Sequence, residues 1–127
     1  MFKVNNKSKF ILDKLWKLAI QNKRYFKLNN NSTFIPLTIE IIENTVISLC
    51  HYGEMNGDLM REPEMLFWKN KYGDYFPFYY RNDYVCFEQF VGQVLKNELT
   101  VYHKKQQEEQ VEFADTWMLN IDYQQFK

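Results

Sequence analysis

Glycine, proline and cysteine are all scarce, at four, three and two in 127 residues. So few glycines and prolines exclude a collagen-like or linker-rich chain. Two cysteines cannot staple a disulfide framework. No apolar run approaches the roughly 18 residues of a membrane-spanning helix. The glycines, at 53, 57, 73 and 92, build neither a GxGxxG nor a P-loop, and there is no GxSxG. HExxH and the calcium loop are missing. So is the Glu-x-Lys of metal-dependent nucleases, since the first lysine after Glu64 is Lys69. The opening Met-Phe-Lys-Val-Asn-Asn-Lys leads into an apolar stretch broken by Asp13 and Lys14, which does not read as a signal peptide. What the chain has in excess is aromatic residues: 11 Phe, 9 Tyr and 3 Trp, or 18%. That composition and a length typical of one domain predict a small β-containing fold spanning residues 1–127.

A net charge of zero conceals strong segregation along the chain. Residues 1–30 carry eight lysines and arginines against Asp13 alone, and residues 31–68 carry six carboxylates against Arg61 alone. A basic block of this kind invites phosphate contact, so Lys9, Lys14, Lys17 and Arg24 are candidates for touching nucleic acid. Opposed blocks in one domain can equally face each other. Cys50 and Cys86 lie in apolar, strand-like surroundings and are expected to be buried free thiols. With no export signal, they point to a reducing compartment and hence the cytoplasm. Together with the two histidines they match no zinc spacing, and nothing in the chain calls for a cofactor.

From Ser8, a plausible N-cap, to Asn22, the residues Ile11, Leu12, Leu15, Trp16, Leu18 and Ala19 share one helical face, with Asp13, Lys14 and Lys17 opposite. Asn29–Ser32 is a loop by composition. Leu37–Glu43 alternates as a half-buried strand, and Val46–Tyr52 follows closely enough to form a hairpin with it. Met65–Trp68 and Tyr75–Tyr80 flank a turn at Asn70 and Gly73-Asp74. Pro77 belongs at an edge or a bulge because it cannot donate to a ladder. Arg81–Asp83 turns the chain into Tyr84–Phe90, and Lys96-Asn97 turns it again into Leu99–His103. A last helix, about 105–125, gathers Val111, Ala114, Trp117, Met118 and Ile121 on one face, with Glu112, Asp115 and Asp122 pointing away. The prediction is an α+β fold: an N-terminal amphipathic helix over about 8–22, an antiparallel sheet of five or six short strands within about 35–103, and a C-terminal helix packed on the sheet.

The stretch from His51 to Met65 stands out because it joins two predicted strands through eleven residues, 53–63, where a hairpin needs two to five. It holds one histidine and four carboxylates (Glu54, Asp58, Glu62 and Glu64) with Arg61 as the sole cation. Three readings fit. In the first, Asn56-Gly57 makes a tight turn, Asp58 caps a helical turn over Leu59–Arg61, and Pro63 launches the next strand. In the second, His51, Glu54, Asp58 and Glu64 gather round a divalent cation with oxygen ligands, Mg²⁺, Mn²⁺ or Ca²⁺. In the third, the segment recognises a partner through His51, Glu54, Asn56, Asp58, Arg61 and Glu64. The aromatic run Tyr72–Tyr80 reads as alternating core rather than a base-stacking platform, since the acidic middle segment repels phosphate.

Three groups of residues carry a resemblance. They are His51-Tyr52 with Asn56-Gly57-Asp58-Leu59-Met60 and Pro63-Glu64-Met65; Phe76-Pro77 with Tyr80-Arg81-Asn82-Asp83; and the run from Phe113 through Trp117 and Asn120 to Phe126. Over roughly residues 35–126 the chain resembles an uncharacterised domain family of bacterial mobile elements and phages with an HYxEQNGDLMRDPEM-like signature. It departs from that pattern at Gly53, at Glu62, where Asp is usual, and at Gln125, which replaces a Gly. The resemblance implies a cytoplasmic protein of plasmid, conjugative-element or phage origin, with no established activity. The resulting expectation is a non-catalytic accessory protein that contacts a protein or nucleic-acid partner and no membrane. The alternative is a small metal-dependent hydrolase built on the 51–64 segment. The aromatic excess also permits a homodimer.

Overall fold

The first helix, α1 (Asn6–Gln21), begins one turn before the predicted cap. Asn5 is the N-cap, its side-chain oxygen accepting from the Ser8 backbone N–H at 2.8 Å. Ser8 is instead buried, and its hydroxyl donates to Asp115 at 2.6 Å, tying α1 to the C-terminal helix. The computed structural model describes residues 1–127. Lys23 and Arg24, both at positive φ, reverse the chain after α1 into β1 (Tyr25–Leu28). This four-residue strand is absent from the sequence reading, because it abuts the Asn-rich loop and offers little alternation.

Five further strands follow: β2 (Leu37–Ile42), β3 (Val46–Met55), β4 (Asp58–Lys69), β5 (Tyr75–Asn82) and β6 (Phe87–Phe90). Each pairs antiparallel with its predecessor, so the sheet order is the sequence order. A 3-10 turn at Asp83–Val85 separates β5 from β6, which starts three residues later than predicted. Cys86 ends that turn in the left-handed region, exposed rather than buried, so only Cys50 is a buried thiol. Strands β7 (Gly92–Leu95) and β8 (Glu98–Val101) form a separate hairpin around Lys96-Asn97, both at positive φ as its tight turn requires. The chain closes with α2 (Lys104–Phe126). The architecture is α+β, with the expected antiparallel sheet of six strands; the β7–β8 hairpin stands outside that sheet, and β1 and β7 are the two strands not expected.

Period-two alternation gives the sheet two apolar faces. Leu37, Ile39, Ile47, Leu49, Met65 and Phe67 line one, packed against Leu12 and Leu15 of α1 and Trp117, Met118 and Ile121 of α2. Each fully buried side chain of this size contributes about 1.5–3 kcal/mol. Trp68, Phe76, Phe78 and Tyr79 line the other face beneath Val91 and Leu99, and Trp68 Nε1 donates to the Asn97 carbonyl at 3.0 Å. Pro77 sits at a break in the β4–β5 register, as its missing N–H demands. Asp122 does not point away from the core. It is buried, within 3.9 Å of Lys14 and 3.5 Å of Lys127.

The 53–63 segment is not a loop. β3 runs on to Met55 and β4 begins at Asp58, joined by Asn56 and Gly57 at φ 53° and 85°. Two successive positive φ values make the tight hairpin turn whose twist matches the strands, so the Asn-Gly expectation holds. The predicted cap and helical turn do not form: Asp58 pairs with Met55 and starts the strand, and Pro63 lies inside it. A second irregularity sets the faces. Cys50 opposes Glu64, but Tyr52 opposes Arg61, so Glu62 and Pro63 together face His51 alone. This one-residue bulge puts Arg61 and Glu64, three apart, on the same face, where a regular strand would place them on opposite faces.

The hairpin and cap readings separate in a stability measurement. Gly57→Ala forces a Cβ into positive φ and is expected to cost about 1 kcal/mol or more in urea unfolding. Asp58→Ala is expected to cost less than about 0.5 kcal/mol, since no backbone amide depends on its carboxylate. A loss of about 1 kcal/mol at Asp58 with none at Gly57 would restore the cap.

Candidate functional site

Because of the bulge, the β3–β4 hairpin presents different chemistry on its two sides. His51, Gly53, Glu62 and Pro63 turn toward α2. There they meet Tyr80 and Asn82 of β5 and, from α2, Phe113, Trp117, Asn120 and Gln124. Together these enclose an open groove of about 440 Å³. The His51 ring meets Trp117 edge-on at 5.5 Å, and Phe113 lies between Trp117 (6.0 Å) and Tyr80 (5.2 Å). Tyr84 closes one end by lying over Gly53, where a Cβ would collide with its hydroxyl, and it donates to the Glu54 carbonyl at 3.4 Å. Glycine is thus the residue that lets Tyr84 approach.

His51 Nε2 is buried without a hydrogen-bond partner. Burial also lowers the imidazole pKa from its ordinary value, so the ring is neutral at pH 7. A buried polar atom left unpaired costs about 1–3 kcal/mol, and such costs concentrate where a site is kept ready for something else.

The other side of the hairpin is a closed ionic network. The Asp83 carboxylate accepts from the Arg61 backbone N–H at 2.8 Å, from Arg61 Nε at 3.1 Å and from Arg81 Nε at 2.7 Å. The Arg61 backbone and the Arg81 guanidinium hold its pKa down to about 2. Arg61 Nη1 lies 3.8 Å from Glu64, to which the Ser48 hydroxyl donates at 3.4 Å. Arg81 Nη1 reaches Glu88 at 3.5 Å, and the Tyr79 hydroxyl donates to Glu88 at 2.6 Å. Burial raises the Glu64 pKa despite Arg61 and Arg81. Burial, reinforced by Glu64, pushes the Cys50 thiol up to about 12, far from a reactive thiolate. These residues spend their charges on one another.

The six partner candidates from the sequence therefore separate. His51 floors the groove, Arg61 and Glu64 belong to the network on the opposite face, and Glu54, Asn56 and Asp58 are exposed toward the hairpin tip. For the same reason His51, Glu54, Asp58 and Glu64 are not brought together, and nowhere do three His, Cys, Asp or Glu side chains gather as a metal site would need. On α1, Lys9 lies 3.4 Å from Asp74, and Lys14 stacks on Phe10 and Phe126 beside Asp122. Lys17 and Arg24 are exposed. Both carboxylates, Asp74 and Asp122, lie outside the acidic 31–68 block, so the basic block is partly neutralised, but not by the opposed block. The sequence reading did not single out Tyr80, Asn82, Phe113, Trp117, Asn120 or Asp83 as site residues. Their signal was present in the Tyr80–Asp83 and Phe113–Phe126 runs, which carry part of the family resemblance but otherwise read as a turn and a helix.

The depressed His51 pKa fixes a pH dependence. The unfolded chain takes up the His51 proton near pH 6.5 and the folded one only lower, so stability falls as pH drops below about 6.5. Glu64, with a raised folded pKa, acts in the opposite sense above about pH 4.5. It is common to wild type and to a His51→Leu variant and cancels in their difference. The variant is expected to melt within about 1 kcal/mol of wild type or above it at pH 7.5, since it also removes the orphan nitrogen. Its margin over wild type should widen at pH 5. A margin that is constant or narrows toward pH 5 would contradict this placement of His51.

No helix is long and apolar enough to cross a membrane. Comparison with curated proteins and with solved structures returns no match. Residues 8–127 match the model of a family described as a domain of unknown function, DUF6908, and the chain belongs to that family.

Proposed function

We propose that this protein is a non-catalytic binding protein whose groove between α2 and the β3–β5 end of the sheet receives an extended segment of a partner protein. One observation carries the reading: residues from three separated stretches, His51–Pro63, Tyr80–Tyr84 and Phe113–Gln124, converge on an open aromatic and amide-lined groove. Aromatic rings supply contact area at low entropic cost, and amides satisfy a partner's backbone groups. From Glu109 to Gln124 the flank of α2 is about 22 Å long at 1.5 Å per residue. An extended segment of about six or seven residues would cover it. Glu62 and, further along the helix, Glu109 are the charged residues of the lining, and no lysine or arginine joins them. That charge favours a cationic peptide over a phosphate backbone. The resemblance of the 51–65 segment supports an accessory role in a bacterial mobile element, acting in the cytoplasm.

Panning a random peptide display library against the full chain tests this. Enriched peptides are expected to lose binding to Asn120→Trp, which fills the groove from an exposed helix position, and to keep it with Arg61→Ala on the other face. Peptides indifferent to Asn120→Trp would contradict the groove. So would salt-sensitive retention on DNA that Lys17→Glu with Arg24→Glu abolishes while Asn120→Trp leaves it intact. Self-association detected by light scattering and blocked by Asn120→Trp would replace the foreign partner with a second copy.

A further inference from the structure

Beside the groove, and opening onto it through Tyr80 and Phe113, lies a smaller recess of about 170 Å³. Its aromatic wall is Tyr80, with Phe87 of β6 at 5.9 Å on one side and Phe113 of α2 at 5.2 Å on the other. All three rings are partly exposed, although burying their faces would be favourable. The remaining lining is polar: Gln89, Glu109 and Gln110. Glu109 brings the only charge.

Gln110 is the second, independent observation. It is 3% exposed, and its Nε2 donates to the Gln89 carbonyl at 3.3 Å and to Gln89 Oε1 at 3.1 Å. Because a backbone carbonyl can only accept, the amide orientation is fixed, and Gln110 Oε1 is left buried without a partner. The residues lining the recess therefore combine aromatic faces, one carboxylate and, on Gln110, one buried unpaired acceptor, with no donor left over from the Gln110 amide. A ligand that fits must be cationic, must carry N–H groups and must offer a flat or apolar surface to the rings.

We propose that the recess bounded by Tyr80, Phe87 and Phe113 binds a guanidinium group, the head of an arginine side chain in the partner segment. A guanidinium is planar and weakly hydrated, so it stacks on an aromatic face. Its N–H fork supplies donors to Gln110 Oε1 and to the Glu109 carboxylate at once. A primary ammonium offers the charge without the stacking plane, and a trimethylammonium offers no donor. The assignment rests on the groove reading for the rest of the segment but not for the head group itself.

The test uses the full chain and four small probes: N-acetyl-arginine methylamide and its citrulline, lysine and trimethyllysine counterparts. Binding is read from the ring protons of Tyr80, Phe87 and Phe113 by NMR titration. The arginine probe is expected to give saturable shifts at these rings. Citrulline, planar and N–H-bearing but neutral, should bind about tenfold more weakly, the scale of a desolvated cation–π contact. Phe113→Ala should weaken the arginine probe similarly, with Phe113→Tyr restoring it, and Glu109→Gln should reduce its affinity and its salt dependence. Absence of saturable shifts, citrulline equal to arginine, or lysine or trimethyllysine equal to arginine would each overturn the assignment. If display peptides bind the groove while the arginine probe does not, only the recess assignment falls. If the arginine probe binds while no peptide depends on Asn120, the groove reading falls and the recess stands.

Discussion

A single extra residue in β4 governs the rest. The Glu62-Pro63 bulge opposite His51 shifts the strand's alternation by one, so every side chain between it and the Asn56-Gly57 turn is on the face opposite to the one a regular ladder would give it. Beyond the bulge, Met65 and Phe67 continue into the helix-covered core. Before it, Arg61 joins Glu64 on the far face and closes onto Asp83. Proline suits this position because a bulge leaves a backbone N–H without a ladder partner.

The two sides so created differ in how their polar groups are satisfied. On the network side each carboxylate has a donor and each arginine an acceptor, and titration is suppressed at Asp83 and Cys50. Four buried polar atoms lack partners, and two of them, His51 Nε2 and Gln110 Oε1, belong to residues that line the groove and the recess beside it; Thr45 Oγ1 and Gln125 Nε2 belong to neither lining. Consistency across levels is the rule in folded chains, and exceptions concentrate at functional positions. The network ties the hairpin to the β5 end and holds Tyr84 over Gly53, while the groove faces solvent.

The fold was legible where periodicity was strong. Both helices, the β2–β3 hairpin, the Lys96-Asn97 turn into β8 and the proline irregularity at Pro77 follow from alternation, 3.6-residue spacing and turn chemistry, whereas β7 does not. Residues 53–63 were misread because Glu54, Asp58 and Glu62 resemble loop composition, and a hairpin projecting past the core keeps polar residues on both faces. β1 was missed because four residues carry too little alternation, and Cys86 was placed inside because its neighbours Val85 and Phe87 are apolar, although both are exposed in the fold. The site was legible only in part. His51 could be named from its segment, but its neighbours on β5 and α2 come from sequence positions about 30 and 60 residues away, and only pairing and helix docking bring them together.

Cross-strand NMR contacts between β3 and β4 measure the bulge directly. The account predicts that one spectrum shows Cys50 opposite Glu64 and Tyr52 opposite Arg61, with Glu62 and Pro63 both adjacent to His51. Contacts pairing Tyr52 with Glu62 would mean a regular ladder. Arg61 would then turn to the helix side, and both the Asp83 network and the groove lining described for this protein would be wrong.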